Sequence, residues 1–215
     1  MKVLIFDFDG TIADSFDTVL TIANRLAHEF GYPFTPPETA KHLKHLSSRE
    51  IVRQSQVAFW QIPFLLKRLR SELHHEIQYL HPIPGMAAAL QEIHQQGHHL
   101  GIVTSNSQEN VAAFLDTHGL SELFDFIGSG LTVFGKGRVI QAALRQYQLD
   151  PATVIYVGDE TRDIEAAKKI GIPVIAVSWG FNSAQALAKH YPNLLIHHPE
   201  ELVKAVNTGC INQLL

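Results

Sequence analysis

The sequence predicts an α/β fold, a doubly wound parallel sheet with a block of helices inserted after its first strand. Short apolar runs recur along the chain, as expected for strands that are buried on both faces. Stretches with the 3.6-residue period of amphipathic helices separate most of these runs. One long stretch, residues 15–81, has helical patterns and no convincing strand. Strands that alternate with helices form parallel sheets through right-handed crossovers.

The strand candidates are compact and mostly rich in Val and Ile. Gly97, Gly119 and Gly171 follow intervening helical patterns, at positions where a left-handed residue commonly ends a helix. The predicted strands are Val3–Phe6, residues 100–103, residues 154–157 and Val174–Val177, with residues 124–127 as a fifth candidate.

The inserted stretch predicts four helices. An amphipathic stripe covers residues 16–30 and ends at Gly31, and capping-box patterns at Thr35 and Ser47 predict two further helix starts. Pro63 can open a fourth helix, whose apolar residues recur at spacings of three and four. Residues 81–85 include two prolines and a glycine, so they predict a linker. We expect a core domain of residues 1–14 and 82–215 and a helical cap domain of residues 15–81.

Composition excludes several classes of protein. The chain has 215 residues, of which 46% are apolar, and this apolar fraction excludes a disordered chain. A net charge of −4 without a long basic run argues against nucleic acid as the main partner. The single cysteine, Cys210, fits a reducing compartment, and no apolar run is long enough for a signal peptide or a membrane span. We expect a soluble, cytoplasmic protein without a membrane partner.

Two carboxylates follow the first predicted strand directly. Asp7 and Asp9 are two residues apart, so in extended backbone both side chains project to the same side of the strand tip. Two such charges perturb each other's pKa unless a cation or a shared proton intervenes. Gly10 permits a sharp change of direction, and the Thr11 hydroxyl can tie the loop. An isolated pair of this kind more often does no more than start a turn.

A second acidic pair follows residues 154–157. Asp159 lies at the strand tip, and Asp163, four residues on, faces the same side in the first turn of the next helix, where it could simply complement the helix dipole. Because the carboxyl ends of parallel strands share one edge of the sheet, we expect Asp7, Asp9, Asp159 and Asp163 to gather there. Mg²⁺, a cation that prefers oxygen ligands, is the economical way to neutralise such a cluster.

Two further loops at the same edge supply groups that suit a phosphate. Thr104, Ser105 and Asn106 follow a predicted strand and precede a helix, although the serine after them could be an ordinary N-cap. Lys136 lies between two glycines. Such a lysine is usually a solvated surface charge, but a carboxylate cluster at the same edge favours a place in the site.

These residues together resemble the four-motif signature of the haloacid dehalogenase superfamily. The Asp-Phe-Asp-Gly-Thr sequence at 7–11, Thr104, Lys136 and the Gly-Asp-x-x-x-Asp pattern at 158–163 agree with it in order, spacing and position at strand ends. The resemblance covers the whole chain. It implies a Rossmann-like core of the haloacid dehalogenase type with an α-helical cap inserted after the first strand.

The resemblance also implies a mechanism. In the dehalogenase branch of this superfamily, a tyrosine stands at the position of the second aspartate. The aspartate found here, Asp9, therefore resembles the branches that transfer phosphoryl groups. Asp7 would be the nucleophile that forms an aspartyl-phosphate, and Asp9 would protonate the leaving oxygen and then deprotonate the attacking water. Lys136 would bridge Asp7 and the phosphate. Mg²⁺ would be held by Asp7, the Asp9 backbone carbonyl and Asp159, with Asp163 in or near its shell. The phosphoryl oxygens would be held by Thr104, Ser105 and Asn106.

Segments of the cap and of the C-terminal part indicate the chemical class of the substrate. Arg49 lies in a segment similar to the cap of β-phosphoglucomutase, where an arginine reaches the substrate phosphate; a surface arginine in a capped helix is the alternative. Residues 177–182 resemble those of phosphoglycolate-phosphatase-like proteins. Lys136 is followed by Gly137 where the signature commonly has proline, which leaves the subfamily open. We expect a phosphatase for a small phosphorylated acid or sugar, as a monomer or weak homodimer.

Two other functions stay open. A phosphomutase of the β-phosphoglucomutase type would share the aspartyl-phosphate but return the group to a sugar. A non-catalytic phosphate-binding module would keep the site without turnover. A zinc site is disfavoured despite 13 histidines, because most are scattered or form adjacent pairs whose side chains point apart.

Overall fold

A single six-stranded parallel sheet forms the centre of the protein in the computed structural model, which describes residues 1–130 and 135–207. The strand order is β3-β2-β1-β4-β5-β6. The order changes direction beside β1, so the carboxyl ends of β1 and β4 form the switch point at which open α/β sheets bind ligands. The strands are β1 Val3–Phe6, β2 His99–Thr104, β3 Phe126–Ser129, β4 Val154–Gly158, β5 Val174–Val177 and β6 Leu194–Ile196.

Four α-helices lie within residues 15–81, between β1 and the helix Met86–Gln95, and no strand of the sheet comes from this stretch of described residues. The two chain segments that join this stretch to the sheet run side by side: the Asp14 N–H donates to the His81 carbonyl at 2.9 Å, and the Ile83 N–H donates to the Ile12 carbonyl at 2.8 Å. These bonds fall at the boundaries predicted for the cap, whose status as a separate domain stays a prediction. The helices are α1 Phe16–Phe30, α2 Pro37–Leu43, α3 Ser48–Gln54 and α4 Ile62–Glu76.

The remaining helices cover both faces of the sheet. Alternate strand residues point to opposite faces, so Leu4 and Phe6 join one buried apolar cluster, and Val3 and Ile5 join the other. The helices are α5 Met86–Gln95, α6 Gln108–Thr117, α7 Lys136–Gln146, α8 Thr161–Ile170, α9 Ala184–Ala188 and α10 Pro199–Asn207. The first cluster contains residues of α5, α6 and α10, and the second contains residues of α7, α8 and α9. No helix of the described residues combines the length and the hydropathy needed to cross a membrane.

Two local predictions were wrong. The helix predicted to be capped by Thr35 begins at Pro37, with Pro36 as its cap. The reason is that the Asn24 side chain holds the backbone of Thr35 outside the helix, through bonds of 2.8 and 2.9 Å to its N–H and carbonyl. The third strand begins two residues later than predicted, at Phe126. The capping box at Ser47, in contrast, is confirmed, because its side chain and that of Glu50 each accept a bond from the other's backbone N–H.

Candidate active site

The loops that follow β1 and β4 bring three buried carboxylates together. Asp7 continues the ladder of β1, since its N–H donates to the Val157 carbonyl at 2.8 Å. Asp159 directly follows β4, and Asp163 lies in the first turn of α8. One oxygen of each carboxylate lies within 4.8 Å of the others. Within residues 1–130 and 135–207, this cluster, which we call the acid triad, is the one group of three or more His, Cys, Asp or Glu side chains that could hold a metal ion.

One lysine is inserted into the acid triad. The Lys136 ammonium forms ion pairs with Asp7 and with Asp163, and its side chain is buried. Burial alone would lower the pKa of Lys136, but Asp163 and Asp7 raise it above its usual range. The lysine is therefore charged at neutral pH. A single ammonium cannot neutralise three carboxylates, so the triad keeps an excess of negative charge.

Asp159 is the carboxylate of the acid triad with which Lys136 does not form an ion pair. The Thr11 hydroxyl donates to Oδ1 and the Phe181 N–H donates to Oδ2, each at 2.7 Å. Burial, together with the charges of Glu160, Asp7 and Asp163, nevertheless raises the pKa of Asp159 well above its ordinary value. Buried carboxylate oxygens with uncompensated charge are the ligands that Mg²⁺ takes in proteins. The donor set of the acid triad therefore fits the ion that the sequence predicted.

Two glycines leave the space that the Asp159 carboxylate occupies. A Cβ atom at Gly10 would lie 2.3 Å from Asp159 Oδ2, and one at Gly180 would lie 2.2 Å from the same oxygen. Gly10 also has a φ of +75°, in the left-handed region that glycine tolerates best. The backbone of both loops thus packs directly against the carboxylate and fixes its position.

Asp9 lies beside the acid triad but is held by different groups. Its Oδ2 accepts a hydrogen bond from Asn106 Nδ2 at 3.0 Å. Burial and the charge of Asp7 raise the pKa of Asp9 to about 6, although Ser15 and Asn106 oppose this rise. A carboxyl group with a pKa in that range can both give and take a proton near neutral pH.

Hydrogen bonds of Asn106 hold the loop that follows β2. The Asn106 N–H donates to Thr104 Oγ1 at 3.0 Å, and the Ser129 hydroxyl donates to the Asn106 carbonyl at 2.5 Å. Ser105 Oγ accepts a longer bond, 3.4 Å, from Arg162 Nη2. Ser107 is an N-cap, because its side chain accepts from the Asn110 N–H at 3.1 Å. The structure thus places Thr104, Ser105 and Asn106 together beside Asp9.

Arg49 lies further out than the residues above. It belongs to α3 and pairs with Glu165 of α8 at 3.4 Å, and its side chain is 68% exposed. It also lines a cavity of about 530 Å³, whose wall includes Lys136 and Arg162. Its predicted role at the substrate stays a prediction.

The residues that join the cap helices to the site were not predicted from the sequence. Arg162 donates to Glu160 through Nε at 2.9 Å, and Glu160 also accepts from the Ser48 hydroxyl at 2.7 Å. Asn182 Nδ2 donates to the Leu46 carbonyl at 2.9 Å. Arg162 lies inside the Gly-Asp-x-x-x-Asp pattern, but at a position that the pattern leaves variable. Asn182 ends the segment 177–182 that resembles phosphoglycolate-phosphatase-like proteins, but that resemblance assigns it no contact with the cap helices.

The chain belongs to the haloacid dehalogenase-like hydrolases, whose family model matches residues 4–177. Its relatives place it among the phosphatases of that family. It is 40% identical over 206 residues to a phosphoglycolate phosphatase of Synechococcus elongatus, an alignment that covers 96% of this chain and 97% of the relative. It is 26% identical to a phosphoglycolate phosphatase of Aliivibrio fischeri, over 91% of this chain and 92% of that protein.

Solved structures show the same fold. A predicted phosphatase from Clostridium acetobutylicum superposes with a TM-score of 0.83 at 21% identity, covering 95% of this chain and 97% of the other. CbbY from Rhodobacter sphaeroides, solved in complex with phosphate, gives a TM-score of 0.73 at 22% identity, over 94% and 96% of the two chains. The predicted fold class, a doubly wound parallel sheet with inserted helices, is confirmed.

Proposed function

We propose that this protein is a cytoplasmic, Mg²⁺-dependent phosphatase that hydrolyses a small phosphorylated metabolite, a phosphoglycolate-like acid or a sugar phosphate, through an aspartyl-phosphate. The observation that carries the proposal is the acid triad with Lys136 inside it and Asp9, with its raised pKa, beside it. The name of the 40% identical relative supports a phosphorylated two-carbon acid as the first substrate to test.

In the first step, Asp7 attacks the phosphorus of the ester. The Phe8 N–H donates to Asp7 Oδ1 at 2.8 Å, which orients the carboxylate. A new bond forms between a carboxylate oxygen and phosphorus, and the bond between phosphorus and the leaving oxygen breaks. Asp9 supplies the proton that the leaving oxygen takes up, for which a pKa of about 6 is suitable.

In the second step, water attacks the aspartyl-phosphate. Asp9, now ionised, accepts a proton from that water, and Asp7 is released together with inorganic phosphate. Asn106 keeps Asp9 in place through its amide group in both steps. Thr104, Ser105 and Asn106 would hold the phosphoryl oxygens at the end of β2, next to the N-terminus of α6.

Charge decides whether the first step can occur, because an anion attacks an anion. At ~4 Å, each unit-charge pair repels by about 4 kcal/mol at an effective dielectric constant near 20. Lys136 offsets part of this repulsion, since its ammonium pairs with the attacking carboxylate. Mg²⁺ bound by Asp7, the Asp9 carbonyl and Asp159, with Asp163 close by, would supply the remaining positive charge.

A phosphate-release assay tests the proposal. The purified protein with Mg²⁺ is expected to release phosphate from phosphoglycolate, to lose this activity in EDTA and to regain it with added Mg²⁺. Asp7→Asn is expected to lower kcat by at least about 10³-fold while the circular dichroism spectrum stays unchanged, because the amide is a poor nucleophile. Asp17→Asn, an exposed carboxylate in the first turn of α1, is the matched control and should keep kcat within about twofold.

Each contrary outcome has a separate meaning. Turnover by Asp7→Asn at the wild-type rate would reject Asp7 as the nucleophile. Activity that persists in EDTA would reject the metal. Interconversion of hexose phosphates without release of phosphate would identify a phosphomutase. A folded protein that binds phosphate esters but turns over none of them would be a binding module.

A further inference from the structure

A small cavity lies between α4 of the cap and Asp9. Its volume is about 40 Å³, and a cavity of this size holds about three water molecules. Carboxylate, amide and hydroxyl groups of the site form one wall, and leucines of α4 form the other. The residues that line it are Asp9, Leu66, Leu69, Arg70, Leu73, Ser105 and Asn106.

Arg70 is the one cation in this lining. Its Nε and Nη2 atoms are buried and have no hydrogen-bond partner among residues 1–130 and 135–207. Buried donors of native proteins nearly always have a partner, so each exception needs an explanation. Burial lowers the pKa of Arg70, and the negative charges of Asp9 and Glu109 oppose this effect, but an arginine stays charged at neutral pH in any case.

The turn of α4 that carries Arg70 is fastened to the active site. Asn110 of α6 donates through Nδ2 to the Arg70 carbonyl at 3.2 Å and to Asn106 Oδ1 at 2.9 Å. A ring nitrogen of His74 lies 2.8 Å from Asn110 Oδ1. Asn106 in turn binds Asp9. Asn110 therefore sets the position of Arg70 relative to the carboxyl group that would protonate the leaving oxygen.

We propose that Arg70 is a specificity-determining residue that binds a carboxylate on the leaving group of the substrate. The inference rests on the proposed function, because Asp9 marks the end of the cavity where the leaving oxygen would lie. A guanidinium with two unpaired donors suits a carboxylate, which accepts two parallel hydrogen bonds. The three leucines offer no partner for the hydroxyl groups of a sugar, and the small volume favours a leaving group of a few heavy atoms. The structure thus favours a phosphorylated two- or three-carbon acid.

The test compares two substrates that differ in the carboxylate. Phosphoglycolate carries it, and ethyl phosphate, of similar size, lacks it. Arg70→Met is expected to lower kcat/KM for phosphoglycolate by about 10- to 150-fold, the range for loss of hydrogen bonds to a charged group, and to change the value for ethyl phosphate by less than about threefold. Arg70→Lys should recover part of the loss because it restores the charge without the paired donors.

Arg68→Met is the matched control. Arg68 lies on the same helix but pairs with Glu29 and Glu72 and is 44% exposed, so its loss should leave kcat/KM for both substrates within about twofold of wild type. An equal loss on both substrates in Arg70→Met would overturn the proposal, since it would mean that Arg70 supports the fold or the transferred phosphate. No loss on phosphoglycolate would overturn it as well.

A binding measurement separates this proposal from the proposed function. Isothermal titration calorimetry would compare Asp7→Asn with the Asp7→Asn, Arg70→Met double variant, neither of which should turn over substrate. A loss of phosphoglycolate affinity without a loss of ethyl phosphate affinity supports the role of Arg70 even if the wild-type protein hydrolyses neither ester. Failure of the wild-type protein to hydrolyse either ester would reject the proposed function but not the role of Arg70. Equal affinities of the two variants for phosphoglycolate would reject the role of Arg70.

Discussion

Gly180→Ala provides a sharp test of how the acid triad is held. The added Cβ would lie 2.2 Å from Asp159 Oδ2, whereas Cβ contacts in real structures are essentially never under 3.0 Å, so the carboxylate would have to move by about 0.8 Å. The loop cannot retreat easily, because the same Cβ would lie 2.4 Å from the Gly10 carbonyl oxygen. The hydrogen bonds from Thr11 and Phe181 to Asp159 would lengthen in consequence.

The expected effect is large on activity and moderate on stability. A misplacement of about 1 Å in catalytic machinery can lower the rate by about 100-fold, and overpacking a buried site costs about 1–3 kcal/mol. We therefore expect Gly180→Ala to lower kcat/KM for phosphoglycolate by about 100-fold. We also expect the Mg²⁺ concentration that gives half-maximal activity to rise, because Asp159 is a proposed ligand. Phosphate release over a Mg²⁺ titration and thermal unfolding measure the two effects.

Gly137→Ala is the matched control. Gly137 follows Lys136 in α7, but a Cβ there would meet its nearest neighbours, in Ile170 and Ala166, at 3.8 and 3.9 Å, which are ordinary contacts. This variant should keep kcat/KM and the Mg²⁺ requirement within about twofold of wild type. If Gly180→Ala had the same kcat/KM and the same Mg²⁺ requirement as Gly137→Ala, the position of Asp159 would not matter to catalysis. The assignment of Asp159 to the metal would then be refuted.

Two further substitutions test the roles of Asp9 and Arg49. The pKa of Asp9 is about 6 in the folded protein against an ordinary 3.8, so the folded state holds a proton that the unfolded chain has already released between these values. Wild-type stability therefore falls as pH rises through that window, by at most about 3 kcal/mol. In EDTA, the free energy of unfolding of Asp9→Asn should rise by about 1–2 kcal/mol relative to that of wild type between pH 4 and pH 8. This figure is below the upper bound because Asp9 is only partly buried. A difference in urea unfolding that does not depend on pH would contradict this. Arg49→Ala should change KM for phosphoglycolate by less than about fivefold, because exposed ion pairs such as Arg49 with Glu165 contribute about 0–1 kcal/mol. A larger rise, selective for phosphoglycolate over ethyl phosphate, would support Arg49 as a substrate ligand.

The strands next to the site could be predicted because their signals are local. Residues 3–6 and 154–157 are unbroken apolar runs that end in Asp7 and in Gly158 with Asp159, and the rule that parallel strands share an edge brings these acids together. Strand β6 was missed, because Leu194–Ile196 is only three residues long and pairs with one neighbour, β5. So short a run gives no period that distinguishes it from a loop.

The contacts between the cap helices and the site were not predictable in the same way. Ser48, Leu46 and Lys44 meet Glu160, Asn182 and Gly180 across more than 110 positions of sequence, and no local pattern encodes such a pairing. Arg70 is the exception. It lies four residues after Leu66 and three before Leu73, on the apolar stripe of α4, where a charge is out of place. That irregularity can be read from the sequence and agrees with the role proposed for Arg70.

The paired connections at Ala13 and Pro82 bring the two ends of the inserted helices together. The inserted helices begin after Ala13 and end before Pro82, and these two residues are bridged to each other. An insert whose ends already meet adds little closure entropy to the fold that receives it. A change in the length of the inserted segment can therefore leave the register of β1 against β2 unaltered. In this architecture, selectivity for one ester over another can diverge while the phosphoryl-transfer apparatus beneath it stays constant.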